Sequence, residues 1–144
     1  MSNVSDQSFV TTKRVTGVGG IFFKAKDAKK LMIWYQKHLG IKPEQEGSTT
    51  AMFQWREENQ EDHFGQTVWA IFPNDTKYFD PSSSQFMINF RVSNLRETLD
   101  QLRKEGVRVD DNVVEYDFGK FGWIMDPEGN RLELWEPTKV TPHP

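Results

Sequence analysis

Apolar positions along the chain recur with two different periods. Ile21 and Phe23 alternate with Gly20, Phe22 and Lys24, and Ile88, Phe90 and Val92 alternate with Met87, Asn89 and Arg91. One apolar side chain at every second residue predicts a half-buried strand at each place. Asp27 and Asn94 follow as N-caps, whose side chains accept from the unpaired amides of a helix's first turn. A helix is expected from about Ala28 to Leu39, with Leu31, Trp34, Tyr35 and Leu39 on one stripe and Trp34 in the core. A second is expected from about Leu95 to Glu105, with Leu95, Leu99 and Leu102 at helical spacing. Gly40 and Gly106 stand where a helix closes on a left-handed residue.

Strand-like stretches follow each helix: TTAMFQWREE (49–58) and QTVWAIF (66–72) in the first half, NVVEYDF (112–118), FGWIMD (121–126) and NRLELWE (130–136) in the second. The run from Asp126 to Asn130 is a turn signal between the last two. The acidic stretch REENQED reads as a solvated connection. The halves also match weakly as a repeat: Ile21 with Ile88, Phe23 with Phe90 and Asp27 with Asn94, then Gly40 with Gly106 and Ile41 with Val107. Each half reads β-α-β-β-β, with the weakest signal for the strand directly after the first helix. The reading is an α+β domain over residues 15–137, built of two modules at about 15–75 and 84–137. Residues 1–14 and 138–144 read as flexible arms.

The length of 144 residues suits one domain. It suffices to bury about 70% of the unfolded surface without a covalent or metal staple. There is no Cys, which excludes disulfides, thiolate metal sites and a cysteine nucleophile. A net charge of −3 and a pI near 5.6 argue against nucleic acid as a partner. No apolar run is long enough to span a membrane, and the N-terminus lacks the apolar stretch of a signal peptide, so the expected location is cytoplasmic. The 11 Phe, 5 Trp and 3 Tyr against only 7 Leu favour sheet over helix bundle. They also raise the question of where so many rings go.

The paired modules, the stretch from Ile21 to Ile41 with its HLGI ending, and DPEGNRLELWEP from Asp126 to Pro137 together resemble the vicinal oxygen chelate superfamily. This is the glyoxalase/bleomycin-resistance/dioxygenase fold. The resemblance implies paired βαβββ modules whose sheet faces enclose a concave groove, and it implies a homodimer. The fold hosts many chemistries. Its metal-dependent members take one ligand from each of four strands, usually His, Glu, His and Glu. Here those positions fall at Gly20, at Met87, at one of Trp69, Ala70 and Ile71 (Ala70 fits best), and at Glu133. One carboxylate does not make a catalytic site for a divalent cation. His38 reads as a helix-end residue, His63 as part of the acidic loop and His143 as part of the tail, and none has a paired-ligand spacing. The expectation is no metal and no cofactor.

Strand parity populates the groove. Leu132 and Leu134 share one side of the last strand, leaving Arg131, Glu133 and Trp135 on the other. Glu133 is the candidate catalytic residue; its plainer reading is a solvated strand carboxylate. Phe22, Trp55, Trp69, Met87, Asn89, Arg91, Arg131 and Trp135 are the candidate ligand-binding residues, with Trp55 and Trp69 as floor. Trp123 is open between groove and core. The glycines of VTGVGG and FGKFG match no phosphate-binding loop. The leading expectation is a metal-independent protein that binds a small organic molecule, anionic or aromatic, in an aromatic groove. One alternative is a lyase or isomerase with Glu133 as acid or base and Arg91 or Arg131 stabilising an anion. Another is a metal-dependent lyase or dioxygenase with non-standard ligands. No nucleic acid or membrane partner is expected.

Overall fold

A computed structural model of the chain describes residues 14–57 and 60–138, for residues 60–63 the backbone alone. The expected arms at 1–14 and 138–144 lie almost wholly outside the described residues, as does His143. His63 and most of REENQED fall where side chains are not described. The elements are β1 (Val15–Ala25), α1 (Ala28–Leu39), β2 (Thr50–Glu57), β3 (Gln60–Pro73), β4 (Phe86–Val92), α2 (Leu95–Lys104), β5 (Arg108–Val109), β6 (Val114–Tyr116), β7 (Gly119–Met125) and β8 (Arg131–Pro137).

All eight strands form one curved sheet in the order β2-β3-β1-β4-β8-β7-β5, with β6 on β7. The repeat shows in the ladders. β1 runs parallel to β3, as β4 runs parallel to β8, and the two halves join where β1 meets β4 antiparallel. The halves therefore pair within one chain. No strand forms between α1 and β2, so the first half is one strand short of its expected pattern. The segment there, KPEQEG, is polar and carries Pro43, which has no N–H for a ladder. Conversely, β2 and β3 extend through most of the stretch read as an acidic loop.

Both helices begin on the expected caps. The Asp27 carboxylate accepts from the Lys30 amide at 3.0 Å, and the Asn94 side chain accepts from the Glu97 amide at 3.1 Å. α1 ends on Gly40 at φ 71°, a left-handed conformation that glycine adopts without strain. Asn94→Ala is expected to cost about 1 kcal/mol, seen as a lower urea midpoint at unchanged slope.

The stripe that α1 presents to the sheet is Ala28, Leu31, Met32 and Tyr35. That rotation buries Met32 and leaves Trp34 50% exposed, its ring against Tyr35 and His38, which corrects its assignment to the core. α1 covers Phe23, Trp69 and Ile71; α2 places Leu95, Leu99 and Leu102 on Phe90, Val92, Ile124 and Leu134. In the β1–β4 ladder Phe23 faces Phe86 and Ile21 faces Ile88. Residues directly opposite share a side, so both helices lie on the same face of the sheet. The other face carries Phe22, Ala70, Met87 and Trp123, closed over by Phe79. Phe79 comes from the segment between β3 and β4, which folds back across this face. No helix among the described residues is long and apolar enough to cross a membrane.

Candidate functional site at a buried carboxylate

The ladders align four residues across four adjacent strands on the helix-free face. Gly20 faces Asn89, Asn89 faces Glu133, and Glu133 faces Trp123. Glu133 is 2% exposed. Its Oε1 accepts from Asn89 Nδ2 at 2.6 Å, and its Oε2 accepts from Trp123 Nε1 at 3.0 Å and from the Tyr78 hydroxyl. Tyr78 stacks on Phe72 with centroids 5.7 Å apart. The Arg131 guanidinium lies 5.0 Å from the Trp123 ring centroid and donates to the Asp80 carbonyl, tying the covering segment to β8.

Burial pushes the Glu133 carboxyl above the ordinary carboxylate range, against the downward pull of its three donors and of Arg131. Burial, then the charge of Glu133, push the Tyr78 phenol up, so it stays protonated and donates. The sign for stability follows. A carboxyl with a raised folded pKa binds its proton more tightly in the native state. Its contribution is full below the unfolded value, about 4.3, and is lost as pH rises through the folded one. Urea unfolding between about pH 4.5 and 7.5 is expected to show wild type losing stability with pH relative to Glu133→Gln. A flat difference would show that Glu133 titrates alike folded and unfolded.

A second group adjoins the first. Arg91 faces Trp135 across the β4–β8 ladder, pairs with Glu57 at 2.9 Å, and lies 5.2 Å from the Trp55 ring. The Trp55 indole donates to Thr67 Oγ1 at 2.8 Å. Trp135 stacks on Phe121, centroids 5.9 Å apart and planes 3° from parallel, and donates to the Phe118 carbonyl.

The structure thus gathers Phe22, Met87, Asn89 and Arg131 on the face that holds the Glu133 carboxylate, with Trp55, Arg91 and Trp135 beside it. Trp69 is a correction. It packs on Tyr35 and Phe23 beneath α1, with centroids 4.6 and 5.2 Å apart. Period two puts it on the same side as Ile71, away from the other candidates. Tyr78, Phe79 and Trp123 are additions. Two adjacent rings in the otherwise polar NDTKYFDPSSSQ are a sequence sign of a connection that docks; Trp123 follows only from its register against Glu133.

The four positions that the resemblance assigns to metal ligands are Gly20, one of Trp69, Ala70 and Ile71 (Ala70 fits best), Met87 and Glu133. Only the last is a donor for a hard cation, and both its oxygens already accept hydrogen bonds. Among the described residues no group of three or more His, Asp or Glu is placed to hold a metal. These residues do not fit a divalent metal. A cleft of about 450 Å³ opens alongside, lined by Pro81, Arg108 and Asp110 and sharing Trp123 and Arg131 with the site.

The family model described as Glyoxalase/Bleomycin resistance protein/Dioxygenase superfamily matches residues 18–134. Among solved structures, the chain is similar to methylmalonyl-CoA epimerase from Mycobacterium tuberculosis, at 20% identity and TM-score 0.54, covering 93% of this chain and 95% of that one. It is similar to the Streptomyces coelicolor methylmalonyl-CoA epimerase in complex with 2-nitronate-propionyl-CoA, at 17% identity and TM-score 0.63, covering 90% and 99%. A superfamily member from Vibrio splendidus 12B01 matches at 9% identity and TM-score 0.53, covering 83% and 97%. No curated protein matches the chain.

Proposed function

The chain belongs to the glyoxalase/bleomycin resistance protein/dioxygenase superfamily, and from that membership we propose that it is a metal-independent member binding a small organic molecule on the helix-free face. The observation that carries this is Glu133, a carboxylate 2% exposed among aromatic rings, beside a cleft that shares Trp123 and Arg131 with it. Polar anchors few in number and set in an apolar, aromatic wall are what orient a small ligand. Glu133 accepts a hydrogen bond from the ligand. Trp123 and Arg131 flank the way in, and the rings supply stacking surface. Tyr78 belongs to a connection rather than a strand, so its hydroxyl is the donor a ligand displaces.

A broad small-molecule panel read by thermal shift and by tryptophan fluorescence tests this. Ligands that reach Glu133 are expected to bind several-fold more tightly to Tyr78→Phe, since one competing hydrogen bond is worth about 1 kcal/mol. A panel that stabilises neither protein would overturn the proposal. A homodimer in the cytoplasm belongs to the same proposal, and a monomeric mass in light scattering at micromolar concentration would remove the dimer.

The raised pKa of Glu133 favours a second reading, in which the carboxyl acts as general acid or base in a lyase or isomerase reaction. Glu133→Gln then abolishes turnover while the protein stays folded. In a binding protein the same change alters affinity alone.

A further inference from the structure

The second polar group on this face is incompletely paired. Arg91 is 9% exposed, yet among the described residues its guanidinium Nε and Nη1 meet no acceptor, while Nη2 donates to Glu57. Among the described residues the neighbouring Asn89 Oδ1 is also buried without a donor. A buried guanidinium with two nitrogens unpaired is costly, and folded proteins seldom keep one without use.

The backbone around it is shaped to keep it there. A Cβ at Gly17 or Gly65 would overlap the Trp55 ring, and a Cβ at Gly19 would overlap Asn89 Oδ1 and meet Trp135. The β1 ladder shifts register between Val18 and Gly20, which brings Gly19 against the same side chains. The VTGVGG run, which matches no phosphate loop, thereby acquires a role. Its missing side chains make space for an arginine set between two indoles.

We propose that Arg91, walled by Trp55 and Trp135, is the subsite for the carboxylate of a planar organic anion. The chemistry selects that class. The unpaired nitrogens require charged or strongly polar acceptors, and a carboxylate oxygen supplies charge-assisted hydrogen bonds. The two half-buried indoles supply flat apolar surface for the attached ring, and beyond Trp135 the Phe121, Phe118 and Tyr116 rings continue it. The ligand's carboxylate sits at Arg91 and its ring lies on the two indoles. This rests on the binding reading above and narrows it to anions.

The test uses three planar carboxylates, benzoate, 1-naphthoate and indole-3-acetate, each beside its own primary amide. Titration calorimetry at pH 7.5 with the full chain is read for the ratio of the two dissociation constants. The unmodified protein is expected to bind at least one carboxylate tenfold or more tighter than its amide. In Arg91→Gln that ratio is expected to fall to about one, with circular dichroism confirming an unchanged fold. Equal affinity for acid and amide in the unmodified protein would overturn the subsite and leave the groove standing. Failure of all six compounds to bind would overturn the subsite and count against the groove as well. The unmodified protein alone decides between these results, so an unfolded variant does not block the test.

Discussion

Phe79→Ala is expected to lower stability by about 3–5 kcal/mol, the cost of emptying a fully buried aromatic site. In thermal denaturation that is a drop of roughly 10 °C or more for a domain of this size. The residue lies between strands, where substitutions ordinarily cost within about 0.5 kcal/mol. Its ring is 0% exposed and packs on Phe22, Met87 and Trp123, with Phe72 at 5.2 Å and the Lys24 ammonium 5.3 Å from its centroid. Losing it removes the anchor that holds Tyr78 against Glu133. The variant is therefore also expected to bind a hydrophobic dye that wild type ignores. A loss under about 1 kcal/mol would show that the segment after β3 is not seated on the sheet.

Glu133→Ala is expected to cost about as much, 3–5 kcal/mol, for a different reason. The side chain is the common acceptor for Asn89, Trp123 and Tyr78. Deleting it strands two fully enclosed donors, and an unmet buried donor carries its whole desolvation penalty. Glu133→Gln should be far milder, about 1 kcal/mol. One amide oxygen can still serve Trp123 and Tyr78. Asn89 Oδ1 has no partner among the described residues, so turning the Asn89 amide over lets it accept from the new side-chain nitrogen. Urea unfolding of the three proteins should rank wild type and Gln close together and Ala well below. Equal losses for Gln and Ala would mean that the negative charge itself, rather than the acceptors, holds the row together.

Much of this site is visible in the sequence because strand parity is strict. Once Ile88 and Phe90 are assigned to the helix side, Met87, Asn89 and Arg91 have one place to go, and the same holds for Glu133 beside Leu132 and Leu134. The two caps and the pairing of modules were legible for the same reason, since each is written in local spacing. Trp69 is decidable the same way: it shares the parity of Ile71, which puts it beneath α1 and not on the groove floor. Trp34 fails differently. Several stripes fit an amphipathic helix, and the sheet beneath selected the one through Met32. Tyr78 and Phe79 carry no period at all; only the three-dimensional closure of the connection over Phe22 and Met87 gives them meaning. The missing strand after α1 shows the converse. A pattern inferred from symmetry does not form where the residues, here KPEQEG, supply neither alternation nor a full set of donors.

β1, the earliest in chain order of the described strands, is also among the central ones. β1 can pair with β3, which itself pairs with β2, as soon as residue 73 has emerged, but its other edge waits for β4 and residues 86–92. During that interval the nascent chain presents an open row of amides and carbonyls next to Ile21 and Phe23, the kind of edge that recruits other chains. The glycines at 17, 19 and 20 lie in that waiting strand, and glycine lowers strand propensity. The run that makes room for rings in the finished fold also makes the unfinished one a poor template for aggregation.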